Sequence, residues 1–167
     1  MNRAHASTMF LVDDNADDIY LTWRQMRKEG IINEFVSEKN PKLAAKRLKE
    51  MLDHGCSVIV LLDISMPRVN GLSLLEEFKQ DEELAAVPVI MYSASDDESD
   101  IFEAYERGAD GYVQKPFRAD EFNAAIANVG SIKTCFVQRN MSAANRRSEQ
   151  PAKDDRRSAA HHHLTGV

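Results

Sequence analysis

SVIVLLD, residues 57–63, is the strongest strand candidate in the chain and ends on one carboxylate, Asp63. Its Val, Ile and Leu residues run without a polar alternate. That pattern suits a strand covered on both faces, as in a parallel sheet flanked by helices. Working outward, MFLV (9–12) is a short apolar strand that runs straight into Asp13 and Asp14. Between the two, Ile19, Trp23 and Met26, with Tyr20 beside them, mark a helix face over 16–29, and Gly30 is a plausible C-cap. NEFVSE (33–38) is a weaker strand. Pro41 opens a helix that places Leu43, Ala44, Leu48, Met51 and Leu52 on one side and lysines on the other.

Beyond Asp63 the alternation continues. LSLLEEFK (72–79) is a helix, PVIMY (88–92) a fourth strand, and about 95–107 a fourth helix that stops at Gly108. DGYVQ (110–114) is a fifth strand and 118–129 a fifth helix. Strictly alternating strands and helices predict an α/β fold, a doubly wound (βα)5 parallel sheet. Residues 131–137 leave helix and strand both open, because Ile132 and Phe136 keep helical spacing while KTCFV suits a strand. The reading divides the chain into a folded unit, 1–137, and a polar tail, 138–167, whose composition is that of disorder.

Composition narrows the function classes. The 167 residues are 43% hydrophobic and 29% charged, as in a soluble globular chain, and carry a net charge of -6. That charge argues against bulk attraction to nucleic acid or an anionic membrane. No apolar run is long enough to cross a membrane, and the start is too short in apolar residues for a signal peptide. Cys56 and Cys135 make no disulfide framework, so a reducing cytoplasm is the default. No Walker A run or dinucleotide fingerprint is present.

Two adjacent carboxylates at the end of a buried strand repel each other and resist desolvation. In open parallel sheets, ligands sit beyond the carboxyl ends of the strands. If the strands at 9–12 and 57–63 are neighbours, Asp13, Asp14 and Asp63 converge there, with Ser93 and Lys115 to one side. Hard oxygen ligands, partly replaced by water, suit Mg²⁺. Such an ion would relieve the repulsion and draw in a phosphoryl group. Lys115 and Ser93 would meet the phosphoryl oxygens, and Asp63, standing alone, is the preferred nucleophile.

The segments VDDN, VIVLLDISMPRVNGLSLL, PVIMYSAS and GADGYVQKPF together resemble the receiver domain of two-component response regulators, over about 8–129. The order of the motifs carries the specificity: an acidic pair, Asp-x-x-Met-Pro followed by Gly, a strand-end Ser before Ala, and Lys-Pro-Phe. The resemblance implies the flavodoxin-like strand order 2-1-3-4-5. It implies that Asp63 is the phosphoacceptor and that Asp14 is a direct Mg²⁺ ligand, with Asp13 acting largely through water. It also implies the Ser65 backbone carbonyl as a further ligand and Lys115 as the phosphate-pairing lysine, with a cis Lys115–Pro116 bond. Ser93 is then the switch hydroxyl, Tyr112 the aromatic switch, and Ser65 and Ser95 tune the phosphate lifetime. The donor would be a phosphohistidine on a sensor histidine kinase. The output would be a change in the face formed by the fourth helix, fifth strand and fifth helix, through which such proteins often dimerise.

The stretch from Asp81 to Phe117 also resembles single-domain regulators paired with sensor kinases, including those of bacterial phytochromes. An unphosphorylated pseudo-receiver that only binds is disfavoured, because all the expected site residues are present. Two other functions compete. One is a phosphate sink or relay without an effector. The other is a Mg²⁺-dependent phosphohydrolase of the haloacid-dehalogenase type, which needs an acid two residues after the nucleophile, where this chain has Ser65. Several residues have plainer expectations. Asp17 and Asp18 favour a helix dipole, Asn15 is an N-cap, and Trp23 and Phe117 are packing residues. His54 belongs to a surface loop. His161, His162 and His163 lie in the polar tail, where metal binding would be weak. The sequence names no cognate kinase, input signal or target.

Overall fold

The computed structural model describes residues 6–127 and 129. Five strands alternate with five helices: β1 (Thr8–Val12), α1 (Ala16–Lys28), β2 (Phe35–Glu38), α2 (Pro41–Asp53), β3 (Val58–Leu62), α3 (Gly71–Gln80), β4 (Val89–Ser93), α4 (Glu98–Glu106), β5 (Gly111–Gln114) and α5 (Ala119–Ile126). The sheet has the order β2-β1-β3-β4-β5, and every pairing is parallel. β1 and β3 are neighbours, with Val12 opposite Leu62, so the carboxylates that follow both strands emerge side by side.

The uninterrupted apolar run of β3 divides between two cores. Val58, Val60 and Leu62 join Phe10, Val12, Val89 and Met91 on the face covered by α2, α3 and α4. Ile59 and Leu61 join Met9, Leu11, Ile90, Tyr92 and Val113 on the face covered by α1 and α5. Period-two alternation points every second side chain to the opposite layer. With both layers occupied, no polar position remains. Each fully buried Val, Leu or Ile is worth roughly 1.5–3 kcal/mol, which exceeds the propensity of any single strand residue.

Side-chain caps fix four helix starts. Asn15 accepts from the amides of Asp17 and Asp18, Asn40 from Lys42, Asn70 from Leu72 and Asp97 from Ser99. α4 therefore starts at Glu98, three residues after the sequence-based expectation, because Asp97 caps it. Two apolar expectations need correction. Trp23 is 41% exposed and lies against Tyr20, ring centroids 6.1 Å apart, while Thr22 takes the inward position beside Met26. Leu43 is 47% exposed, and α2 buries Pro41, Ala44 and Leu48 instead. Phe117 is buried and His54 exposed, as expected. Cys135, residues 131–137, the tail 138–167 and its three histidines lie outside the described residues.

One polar tie organises the far end of the sheet. Asp110 Oδ2 accepts from Lys79 Nζ at 2.9 Å and from the Val89 amide at 2.8 Å, joining α3, β4 and the approach to β5. Asp110→Ala is expected to cost about 1–3 kcal/mol, the usual penalty for stranding partly buried donors. The check is chemical denaturation of both proteins. An unchanged midpoint would show that water replaces the carboxylate at no cost.

Candidate functional site: an acidic pocket with a lysine lid

The ends of β1, β3, β4 and β5 converge at one edge of the sheet. Asp13 is fully buried and Asp63 is 5% exposed, whereas Asp14 is half-buried. One carboxylate oxygen from each lies within 4.8 Å of the others. The backbone holds this crowding in place. The Asp63 amide donates to Val12 O at 3.1 Å, and the Asp13 amide donates to Glu38 O at 3.2 Å. The Asn15 amide donates to Asp13 Oδ1 at 2.9 Å, and the Ser65 amide donates to Asp63 Oδ1 at 3.3 Å.

Lys115 closes the pocket from the β5 side. Its Nζ lies 2.8 Å from Asp13 Oδ2, 3.0 Å from Asp18 Oδ2 and 3.7 Å from Asp63 Oδ2. The Lys115 amide donates to Ser93 O at 2.8 Å, and the Lys115–Pro116 bond is cis. Burial pushes the ammonium towards losing its proton. The Asp13 hydrogen bond, the charges of Asp63 and Asp13, and the Asp18 bond outweigh that, so the pKa ends raised. Asp63 moves to about 6, chiefly through burial and with help from the charges of Asp13 and Asp14, against the pull of Lys115 and the Ser65 amide. One ammonium does not neutralise three carboxylates at this depth. The donor set is all oxygen, is incomplete and carries excess negative charge, so it fits a hard divalent cation. Asp13, Asp14 and Asp63 are the side chains that would hold it.

On the β4 side, Ser93 is 1% exposed, and its Oγ accepts from the Ser95 amide at 3.2 Å. Ser95 Oγ donates to Asp100 Oδ2 at 2.7 Å. Tyr112 is half-buried, and its hydroxyl donates to Ser95 O at 2.8 Å. Burial raises its pKa, opposed by hydrogen bonding to Ser93 and Ser95. Asp13, Asp14, Asp63 and Lys115 lie together, Ser93, Ser95 and Tyr112 are joined by hydrogen bonds at the end of β4, and Ser65 is exposed.

Two residues of the site were not legible as such. Asp18 is more than a dipole acid, since it holds Lys115 across 97 positions of sequence. Tyr92, read only as a strand residue, lies under Lys115 with its ring centroid 5.4 Å from Nζ. A cavity of about 420 Å³ opens here, lined by Asp18, Leu21, Thr22, Tyr92, Lys115 and Phe117 among others.

The fold and pocket define a parallel α/β module with an acid triad and a lysine at the carboxyl ends of its strands. Residues 9–127 match the family model described as the response regulator receiver domain. The chain belongs to the response regulator receiver domain family. It is 31% identical over 80 residues to the response regulator Rre1 of Synechocystis, covering 48% of this chain and 35% of Rre1. The chain spans less than two thirds of most curated relatives it matches. Among solved structures, the bacteriophytochrome response regulator AtBRR aligns with a TM-score of 0.66 and 29% identity, covering 78% of this chain and 97% of that one. The bacteriophytochrome response regulator RtBRR aligns with a TM-score of 0.64 and 29% identity, covering 85% and 90%. No helix among the described residues is long and apolar enough to cross a membrane.

Proposed function

We propose that this chain is a response regulator receiver that accepts a phosphoryl group on Asp63 from a phosphohistidine of a sensor histidine kinase, in a Mg²⁺-dependent reaction. The observation that carries the reading is the convergence of Asp13, Asp14 and Asp63 under Lys115. Mg²⁺ bound by the three carboxylates and the Ser65 carbonyl would neutralise charge on the transferring group. In the transfer, an Asp63 carboxylate oxygen bonds to phosphorus as the phosphorus–nitrogen bond breaks. The electron pair leaves with the imidazole.

Lys115 is placed to follow the new charge. Its Nζ already lies 3.7 Å from Asp63 Oδ2, and it gains a phosphoryl oxygen as a partner in exchange for Asp18. Ser93 Oγ accepts from the Ser95 amide at 3.2 Å and turns towards the phosphoryl group. Tyr112, tied to the Ser95 carbonyl on the loop that follows Ser93, responds to that movement. The family resemblance supports Ser65 and Ser95 as the residues that set how readily water reaches the acyl phosphate. The α4–β5–α5 face carries the output. Phe102 is 68% exposed and Tyr105 51% exposed on α4, which supports partner binding or homodimerisation there. The two bacteriophytochrome regulators that share this fold support a phytochrome-type kinase as the donor. The reading carries with it a cytoplasmic setting.

The test is the intact mass of the full chain after incubation with acetyl phosphate, with and without Mg²⁺. One added phosphoryl group, seen only with Mg²⁺ and only when Asp63 is present, is the expected result. A phosphoryl group that persists in Asp63→Asn would overturn the assignment. Metal binding has its own readout. Mg²⁺ at a hundredfold excess over its Kd should stabilise the fold by about 2.7 kcal/mol, and Asp14→Ala should remove most of that gain. A thermal shift equal in both proteins would place the cation elsewhere.

A further inference from the structure

Lys115 has three acidic partners, and none of them is a dependable support during phosphoryl transfer. Asp13 and Asp63 belong to the cation-binding cluster, and Asp18 is 39% exposed in its side chain and screened by water. A lysine side chain has about 2 kcal/mol of rotamer entropy to lose. A divalent cation among the carboxylates would also repel the ammonium. The remaining support is neutral and buried: the face of Tyr92, 5.4 Å from Nζ to the ring centroid.

That ring is fixed from two sides. Its hydroxyl is 3.1 Å from Thr22 Oγ1 on α1, a buried pair, and its edge meets Phe117 at 6.4 Å with 70° between the planes. Tyr92 is 2% exposed and also sits next to Ser93 in the chain. Leu or Val would leave a cavity beside Phe117 and strand the Thr22 hydroxyl. Neither carries the negative ring face that attracts a cation within about 6 Å.

We propose that Tyr92 is a positioning residue for phosphoryl transfer: its ring is a rigid floor that keeps the Lys115 ammonium aimed at the Asp63 carboxylate. The inference rests on the function proposed above. It predicts that the effect of Tyr92 on rate passes through Lys115 and through the electronics of the ring, not through its volume.

The experiment measures the initial rate of phosphoryl incorporation from acetyl phosphate with Mg²⁺, by intact mass, on full-length proteins. Tyr92→Phe keeps the ring and is expected to stay within about twofold of wild type. Tyr92→Leu is expected to be about tenfold slower, in line with the loss of one partly desolvated cation–π contact. In a Lys115→Ala background, Tyr92→Leu should change the rate by less than about twofold. Because Tyr92→Leu also risks the fold, a second series replaces Tyr92 with phenylalanines of increasing ring fluorination, which keep shape and drain the ring's negative face. The rate should fall stepwise along this series when Lys115 is present and stay flat when it is absent. A flat series with an active wild type overturns the inference alone. A wild type that takes no phosphoryl group overturns the function proposed above.

Discussion

Asp63→Asn is expected to abolish phosphoryl acceptance and, at neutral pH without metal, to make the protein more stable. The second effect follows from the same burial that serves the first. Asp63 has its pKa raised from 3.8 to about 6, chiefly because ionising it at 5% exposure beside Asp13 and Asp14 is unfavourable. A group whose folded pKa is raised contributes stability that is fully present below its unfolded pKa. That contribution is lost as pH rises through the folded value. The window is therefore about pH 4 to 6, and above it the metal-free fold carries the whole cost. At 1.36 kcal/mol per pKa unit, the difference between 3.8 and about 6 amounts to about 3 kcal/mol. An Asn side chain has the same shape and no charge, so it escapes the penalty.

Denaturant unfolding of both proteins from pH 4 to pH 8 measures this. The wild type should lose stability relative to the variant across the window, and the gap should then level off. Saturating Mg²⁺ should close or reverse the gap, because the carboxylate then has a cation to bind and the amide is a poorer ligand. Parallel pH curves in the absence of metal would show that Lys115 already neutralises Asp63, against the balance of charges described for the pocket. A cost of this kind at a buried carboxylate is one that a bound cation would relieve.

How far the sequence disclosed this site depends on the kind of information each residue carries. The strand-end carboxylates were legible because a continuous Val-Ile-Leu run followed by Asp needs only period-two geometry to place the acid at the sheet edge. Lys115 and Ser93 followed by the same rule at β5 and β4. Asp18 was read only as a first-turn acid because its partner comes from β5, and only the packing of α1 beside that strand end joins them. Tyr92 was hidden for a similar reason. An apolar-looking residue in PVIMY gives no hint that its ring meets an ammonium and its hydroxyl meets Thr22. Trp23 and Leu43 were misplaced at the edges of helical stripes. A 3.6-residue period locates the centre of a buried face well and its margins poorly. The short polar Thr22 suits the inward position because Tyr92 offers it a hydroxyl partner.

The glycine in the Asp-x-x-Met-Pro…Gly motif gives the second large effect. Gly71→Ala should destabilise the fold by about 3 kcal/mol, the upper part of the range for overpacking, and should also impair the site. A Cβ at Gly71 would lie 1.9 Å from the Asp63 carbonyl oxygen and 2.8 Å from both the Asp63 carbonyl carbon and Ile64 Cα. All three are backbone atoms, so no rotamer change makes room. The Gly71 amide meanwhile donates to Ile64 O at 2.9 Å, and Asn70 caps α3 through the Leu72 amide at 2.8 Å, so the helix start is pinned against the loop it would have to leave. Relief requires moving residues 63–65, which carry the nucleophile and the Ser65 amide that orients it. Mg²⁺ affinity and phosphorylation rate should therefore fall together with the unfolding midpoint. Gly55→Ala is the matched control. Gly55 has φ +78 and nothing within 4 Å of its missing Cβ, so alanine there meets only the left-handed backbone penalty of roughly 1–2 kcal/mol, far from the carboxylates. Unfolding midpoints, Mg²⁺ titration and acetyl phosphate kinetics on the two variants separate the cases. If Gly71→Ala costs no more than Gly55→Ala and leaves Mg²⁺ affinity intact, the loop after β3 is free to shift and close approach is not what the site demands of that position. If it weakens both, the glycine is the point at which α3 packs directly against the backbone of the nucleophile.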